Sequence, residues 1–496
     1  MNKDNFENLL FRRQFLVTPV KCYGLQHWKT VELDPYFIYA QNDSEITRTF
    51  SSDIHYLLIG FIIDPSAPGK TNTEILEGMA ALSSLDEIPD FLYPLSGRYV
   101  IVIKTGNRII VYHDPCGLRS VFYSIVDNLL YAASQPLLLE KVIPLERGAK
   151  YEQYSNSGYK RDVLENSLPT GLTLYDNVFQ LKANHCLDTM QDREIRYWPR
   201  NNLSLISLED GLAIFRDVMQ NSIAAAHRRY KLSLPVTAGF DSRVILSMAK
   251  REAKDIFFYT LIYRHLDQNS PDVRIPRKLL KRSGFAHHIV DCKIPEDAAF
   301  KEIYSANSDT AHWNDWGKIA WGMYNAYPRD RVVLKGNCSE IARCYFYPEG
   351  DHPKIEQYED VLQKLKGWDS LPFVKEYIKH WFDEIKSDDA LKGRKILDVL
   401  YWEMRLAGWQ GQSQLEWDIV QEVFSPYNNR MLMDILLGID AKYRSAPDYA
   451  FYKLAIKNTW PELLSEPFNP EPLWNRIKSK VRRLLIKKPL KGGFFS

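Results

Sequence analysis

Between residues 232 and 250 the chain reads LSLPVTAGFDSRVILSMAK, and its chemistry is concentrated in the middle. Thr237 and Ser242 offer hydroxyls and Asp241 a carboxylate of the kind that holds magnesium. Arg243 carries a guanidinium able to grip phosphate through two N–H groups. Ala238, Gly239 and Phe240 complete the loop. The flanks predict a strand over 232–236 and a helix with Val244, Ile245, Met248 and Ala249 on its apolar side. A strand that enters a helix through a loop of small residues points several backbone N–H groups into one concavity, and the helix dipole adds positive potential there. That arrangement suits phosphate. The same six residues also read as an ordinary βα turn. The lysine and spacing of a Walker A loop are absent.

The elements that must position this loop alternate. A capping-box-like start at Ser207–Asp210 predicts a helix ending in His227-Arg228-Arg229. Strands are expected over 256–263, 287–290 and 331–334, with a helix over 273–282. Such alternation indicates a parallel α/β sheet, whose ligands sit at the carboxyl ends of the strands. From about 355 the pattern is helical and aromatic, with a helix over 396–410 and another over 431–439. Trp402 and Trp409 fit either a pocket wall or a core stripe.

The first 200 residues have a different texture. An apolar strand over 56–63, a hairpin of 97–104 and 108–112 across Thr105-Gly106-Asn107, and a strand over 129–134 predict layered β-sheets. One helix is expected, over 73–82.

At 496 residues, with 45% hydrophobic and 25% charged residues, the chain is expected to fold into two or three globular domains. Its formal charge of +2 is uneven. Residues 476–496 carry eight Lys or Arg and no acid, so the remainder is net acidic, and bulk charge gives no reason to expect a nucleic-acid partner. The basic tail fits peripheral contact with an anionic membrane or a solvated helix packing one apolar face. No apolar leader or membrane-length run is read, and the six cysteines form no C-x-x-C pair. A reducing cytoplasm is expected.

Loop 237–242 resembles the Ser-Gly-Gly-x-Asp-Ser pyrophosphate loop of the N-type ATP pyrophosphatases, the group that includes asparagine synthetases and β-lactam synthetases. Gly336-x-x-Ser339-Glu340-Ile341 resembles that group's Gly-x-Gly-[Ala/Ser]-Asp-[Glu/Ile] loop, with Cys338 in place of Gly and Glu340 in place of Asp. LSGRYVIVI (95–103) and HDPCGLRSVFY (113–123) resemble core strands of the glutaminase domain of asparagine synthetase. The resemblance implies an Ntn-type layered α+β domain over 1–200, degenerate as a class II glutamine amidotransferase. An adenine nucleotide α-hydrolase-like α/β domain with a helical C-terminal part would follow over 205–470, and a basic tail over 471–496.

It further implies ATP and Mg²⁺, with Thr237, Ala238, Gly239, Phe240, Asp241, Ser242 and Gly336 around the pyrophosphate. Asp241 and Glu340 would be the metal carboxylates, and Arg243 a catalytic cation. The activity implied is adenylation of a carboxylate for attack by ammonia or an amine, the acceptor being a small molecule, glycan or peptide. The alternative is a non-catalytic relative that binds or scaffolds. Two departures bear on this. The family's N-terminal Cys nucleophile and Asn-Gly oxyanion turn are absent, the latter falling on Ile59-Gly60, which predicts no glutaminase. The family's catalytic Lys falls on Asn469, with Lys453 and Lys457 as nearby cations.

Overall fold

The computed structural model describes residues 6–191 and 193–470; the basic tail expected over 471–496 lies outside the described residues. Among the described residues the first half forms twelve strands: β1 (Phe15–Thr18), β2 (Lys29–Leu33), β3 (Tyr36–Ala40), β4 (Ile46–Ser51), β5 (Ile54–Ile63), β6 (Ser96–Thr105), β7 (Arg108–His113), β8 (Phe122–Val126), β9 (Leu129–Ala133), β10 (Phe179–Gln180), β11 (His185–Asp188) and β12 (Arg193–Arg196). They build two antiparallel six-stranded sheets, ordered β10-β8-β9-β1-β3-β2 and β12-β11-β7-β6-β5-β4.

The near-continuous apolar run of β5 follows from cover on both faces. Leu57 and Ile59, with Val100 and Val102 of β6, pack against Phe15, Val17 and Ile38 of the other sheet. On the opposite face Tyr56, Leu58 and Ile62 meet Ile75, Leu76 and Met79 of α1 (Asn72–Ala80). Thr105 pairs with Arg108, so the β6–β7 turn is Gly106-Asn107, one residue shorter than the three-residue turn expected from sequence.

The second half contains α2 (Leu208–Arg229), β13 (Leu232–Pro235), α3 (Phe240–Met248), β14 (Phe257–Ile262), α4 (Pro271–Arg282), β15 (His288–Asp291), β16 (Val332–Leu334), α5 (Pro372–Ile385), β17 (Glu422–Phe424), α6 (Arg430–Gly438) and α7 (Ala450–Thr459). Its strands form one parallel sheet ordered β15-β14-β13-β16-β17. One face buries Leu232, Leu234 and Leu334 against Phe215, Met219, Val244 and Leu279, and the other buries Tyr259, Val290 and Val333 against Ile319 and Trp321. Two expectations are corrected here. Strand β17 sits inside the region read as wholly helical, because three residues are too few to display alternation. The helix expected over 396–410 is α-helical only over Ile396–Leu400 and continues as a π-helix over Tyr401–Gly411. Wide turns of this kind gather at functional sites.

Buried charge joins the two halves. Arg98 of β6 is 1% exposed and donates to Asp418 at 2.8 Å and to Glu422 of β17 at 2.9 Å. Arg119 reaches the same Glu422 at 3.1 Å. Burial alone would raise the Glu422 carboxyl, but Arg119 and Arg98 hold it down at about 2. The Asn428 Nδ2 donates to the Gly97 carbonyl and the Asp114 carboxylate, and its Oδ1 accepts from the Cys116 N–H.

Removing one member of a buried ion cluster strands the others. The Arg98→Met variant is therefore expected to lose about 3–5 kcal/mol of stability, measured as a lowered urea midpoint.

Candidate functional site

The sheet order fixes where a ligand can enter. The chain steps outward from β13 through β14 and β15, then returns to the other side of β13 to lay down β16. The loops leaving β13 and β16 therefore diverge at the carboxyl edge and open a crevice between them, the usual ligand position of an open parallel sheet. A cleft of about 450 Å³ lies there, and Thr237, Asp241, Ser242, Gly336 and Glu340 line it.

The two loops touch. A Cβ on Gly336 would lie 2.6 Å from the Asp241 Cβ, so only glycine permits this approach. Ser339 Oγ donates to Asp241 Oδ1 at 2.7 Å, while the Arg343 guanidinium sits 3.2 Å from Asp241 Oδ2 and 3.6 Å from Glu340 Oε1. Glu340 Oε2 is buried without a hydrogen-bond partner. Burial, followed by the neighbouring Asp241 charge, raises the Glu340 carboxyl to about 7, against the pull of Arg343. Cys338, between these groups, is held at φ +78°, a left-handed conformation that strains a non-glycine residue.

Loop 237–242 is knotted by its own hydroxyls. The Thr237 N–H donates to Ser242 Oγ at 3.0 Å, and the Gly239 N–H to Thr237 Oγ1 at 3.1 Å. The Ala238 N–H donates to Asp272 of α4 at 2.9 Å. Ala238 is absent from the positive-φ positions, so the methyl group there costs no strain. Helix α3 starts at Phe240 with Gly239 as N-cap. No side chain caps it, which leaves its first N–H groups for a ligand.

Not every residue expected at the site faces it. Arg243 is fully buried and turns away from the cleft, donating to the carbonyls of Ala238 at 3.1 Å, Leu463 at 3.2 Å, Glu466 at 2.6 Å and Pro467. Burial lowers it to about 10, with Glu466 opposing. The expectation that Arg243 is a catalytic cation is corrected: it lies on the core face of α3 and clamps the segment 463–468. Phe240 also turns away, stacking on Phe468 with ring centroids 3.9 Å apart. Ala238 and Gly239 do not line the cleft. Asn469 does abut the loop, its N–H donating to the Ala238 carbonyl at 3.1 Å.

Lys335 and Arg264 line the cleft and Arg343 stands beside its carboxylates, and the loop patterns in the sequence pointed to none of them. Arg343 lies three residues after Glu340, a spacing that brings acid and base together on one helical turn. Lys335 leaves the end of β16 and lines the cleft, its Nζ 3.9 Å from the Trp417 ring and 3.4 Å from Gln414 Oε1. Burial, then Arg98, pushes its pKa well below the ordinary ammonium range. Neither Lys453 nor Lys457 lines the cleft. Trp402 is core, against Trp198 at 4.7 Å and donating to the Pro115 carbonyl, whereas Trp409 lines the cleft.

The residues fit a magnesium ion. Among the described residues no group of three or more His, Cys, Asp or Glu side chains could hold a metal. Two carboxylates, one with a free buried oxygen, match an ion that takes most of its oxygens from phosphate and water. In the first half, Ile59 and Gly60 lie inside strand β5 and not in a turn; the Ile59 side chain is buried between the sheets and the Gly60 N–H donates to the Glu45 carbonyl at 2.9 Å, so neither offers an oxyanion donor. All six cysteines are free and buried. No helix among the described residues is long and apolar enough to cross a membrane.

No family model matches the chain, and no curated protein matches it. Solved structures with some likeness include a glutamine-dependent NAD+ synthetase from Acinetobacter baumannii in complex with ADP. It is 14% identical with TM-score 0.19, over 35% of this chain and 32% of that one. An NMN synthetase from Francisella tularensis is 13% identical with TM-score 0.21, over 43% and 96%. A glutamine phosphoribosylpyrophosphate amidotransferase from B. subtilis is 13% identical with TM-score 0.25, over 82% and 93%. The chain thus spans about a third of the first of these, and none of the three establishes a family for it.

Because Glu340 titrates near 7 in the fold and near 4.5 when free, its contribution to stability is complete below about pH 4.5 and is lost as pH rises through 7. The Glu340→Gln variant should therefore be more stable than wild type at pH 8, by about 1–3 kcal/mol, and no more stable at pH 4.5. Urea midpoints at both pH values, without divalent cations, check this.

Proposed function

We propose that the chain is an asparagine synthetase-like, ATP-dependent amide-bond synthetase. It would convert ATP to AMP and pyrophosphate while adenylating a substrate carboxylate for attack by ammonia or an amine. The observation that carries this reading is the meeting of loops 237–242 and 336–340 at the strand-order reversal, with Asp241 packed on Gly336 and beside Glu340. Neighbouring carboxylates at the carboxyl edge, next to an uncapped helix N-terminus, suit a magnesium–polyphosphate and little else.

In this reading Thr237, Ser242 and the first N–H groups of α3 cradle the pyrophosphate portion. Asp241 and Glu340 would hold magnesium, which neutralises charge on the departing pyrophosphate. Arg343 keeps the two carboxylates together and offsets their repulsion. Lys335 supplies the cation that Asn469 does not. Desolvation and Arg98 hold its pKa below the ordinary ammonium range, and an incoming polyanion would favour its charged form. Glutamine hydrolysis has no part, since Ile59 has no donor and the Gly60 N–H is already engaged. The amine then comes from free ammonia or from the substrate itself.

One observation favours a second reading, a non-catalytic binding or scaffold relative. The Thr237, Ala238 and Gly239 N–H groups are satisfied within the protein, as is Asp241 by Ser339 and Arg343.

Titration of α,β-methylene ATP with Mg²⁺ separates the two. Wild type is expected to bind with a Kd in the micromolar range, dependent on magnesium, and Asp241→Ala to lose the heat signal. Absence of binding by folded wild type leaves the scaffold reading.

A further inference from the structure

The cleft does not end at Trp409. A second chamber, about 670 Å³ in volume, shares Trp409 and Glu165 with it and extends outward beneath Tyr345. A nucleotide suffices to fill the inner cleft, whose size on the order of 450 Å³ is that of a single small-molecule site. An acyl substrate needs the space beyond, and the chamber continuous with the cleft provides it.

The chamber has a built anion position. Arg405 projects from the π-helix 401–411, its guanidinium carbon 4.9 Å from the Trp409 ring centre and 5.5 Å from that of Tyr345. It makes no hydrogen bond or ion pair among the described residues, and its Nε is buried without a partner. A guanidinium set between two aromatic rings, within electrostatic reach of Glu340 but in direct contact with no carboxylate, is an unfilled bidentate site. Lys364 and Lys366 line the same chamber. Its one carboxylate, Glu165, is already paired with Arg264.

The remaining lining is aromatic or apolar, including Tyr159, Phe346 and Trp368, with Gln363 the one side-chain amide. Such a wall favours ring and methylene surface, and beyond Arg405, Lys364, Lys366 and Gln363 it offers few partners to the many hydroxyls of a glycan. A small amino acid would leave it empty.

We propose that this second chamber holds the distal part of the acyl substrate, an acidic peptide whose second carboxylate is taken by Arg405 and whose neighbouring apolar side chain lies on Tyr345 and Trp409. This rests on the synthetase reading of the inner cleft. Arg405 is a substrate-binding residue in this scheme, and Trp409 is the shared wall between peptide and nucleotide.

The test uses the full chain saturated with α,β-methylene ATP and Mg²⁺, titrated calorimetrically with three acids: N-acetyl-Glu-Phe-Glu, trigalacturonic acid and aspartate. The peptide is expected to bind wild type and to bind Arg405→Met at least about tenfold more weakly. Tyr345→Leu, at a residue 46% exposed and safe for folding, should weaken it as well. Nucleotide affinity should be unchanged in Tyr345→Leu, and Arg405→Met is compared at saturating nucleotide because Arg405 also acts on Glu340. Equal peptide affinity in wild type and variants, preference for trigalacturonic acid or aspartate, or no binding of any acid while the nucleotide binds, each overturns the proposal and leaves the synthetase reading intact. Failure of the nucleotide itself to bind removes that reading, and this proposal with it.

Discussion

The rest of the structure depends on the contact between Asp241 and Gly336. It brings the carboxylates of two loops together at the carboxyl edge of a parallel sheet, in a partly buried place where one of them retains a free oxygen. Neighbouring like charges at such a site repel. Arg343 offsets this by approaching both, and a shifted Glu340 carries what remains. A fold selected for stability alone would have no use for an unpartnered, up-shifted carboxyl and a non-glycine residue at φ +78° within three residues of each other.

Around that contact the two halves act as one support. The parallel sheet would end with a short strand at its edge, but Glu422 of that strand is held by Arg98 and Arg119 from the antiparallel half. Lys335, next in line on the neighbouring strand, feels the Arg98 charge as well. The first half thus shapes the electrostatics of the cleft, and its Glu165 lines it. Segment 463–469 is the other support. Arg243 fastens its carbonyls beneath α3, and Phe468 stacks on Phe240, which fixes the helix start that the loop leads into.

Much of the second half was legible in the sequence because its elements are long and periodic. Helix α2 starts at its Ser207 cap and ends in the basic run as expected, and β13, β14, β15 and β16 fall within a residue or two of their expected limits. Strand β17 was not legible, since three residues carry no period. The π-helix was not either, since apolar spacing does not reveal which carbonyl an N–H will reach. Thr237, Asp241, Ser242, Gly336 and Glu340, singled out by the two loop patterns, all line one cleft. Arg243 misled because residue type says nothing of which side of a helix a guanidinium leaves from. Position 243 is the fourth residue of α3 and faces inward with Val244. Arg343 was missed although Glu340 lies three residues before it, because its approach to Asp241 comes only from the fold, as does the Lys335 contact with Trp417.

The measurement that tests the account most directly is backbone hydrogen exchange, read by mass spectrometry, on the full chain with and without Mg²⁺ and α,β-methylene ATP. The account predicts slowed exchange over 236–243 and 335–341 together, strongest at the first amides of α3. Slowed exchange confined to other segments, or none in either loop while the nucleotide is bound, would contradict it.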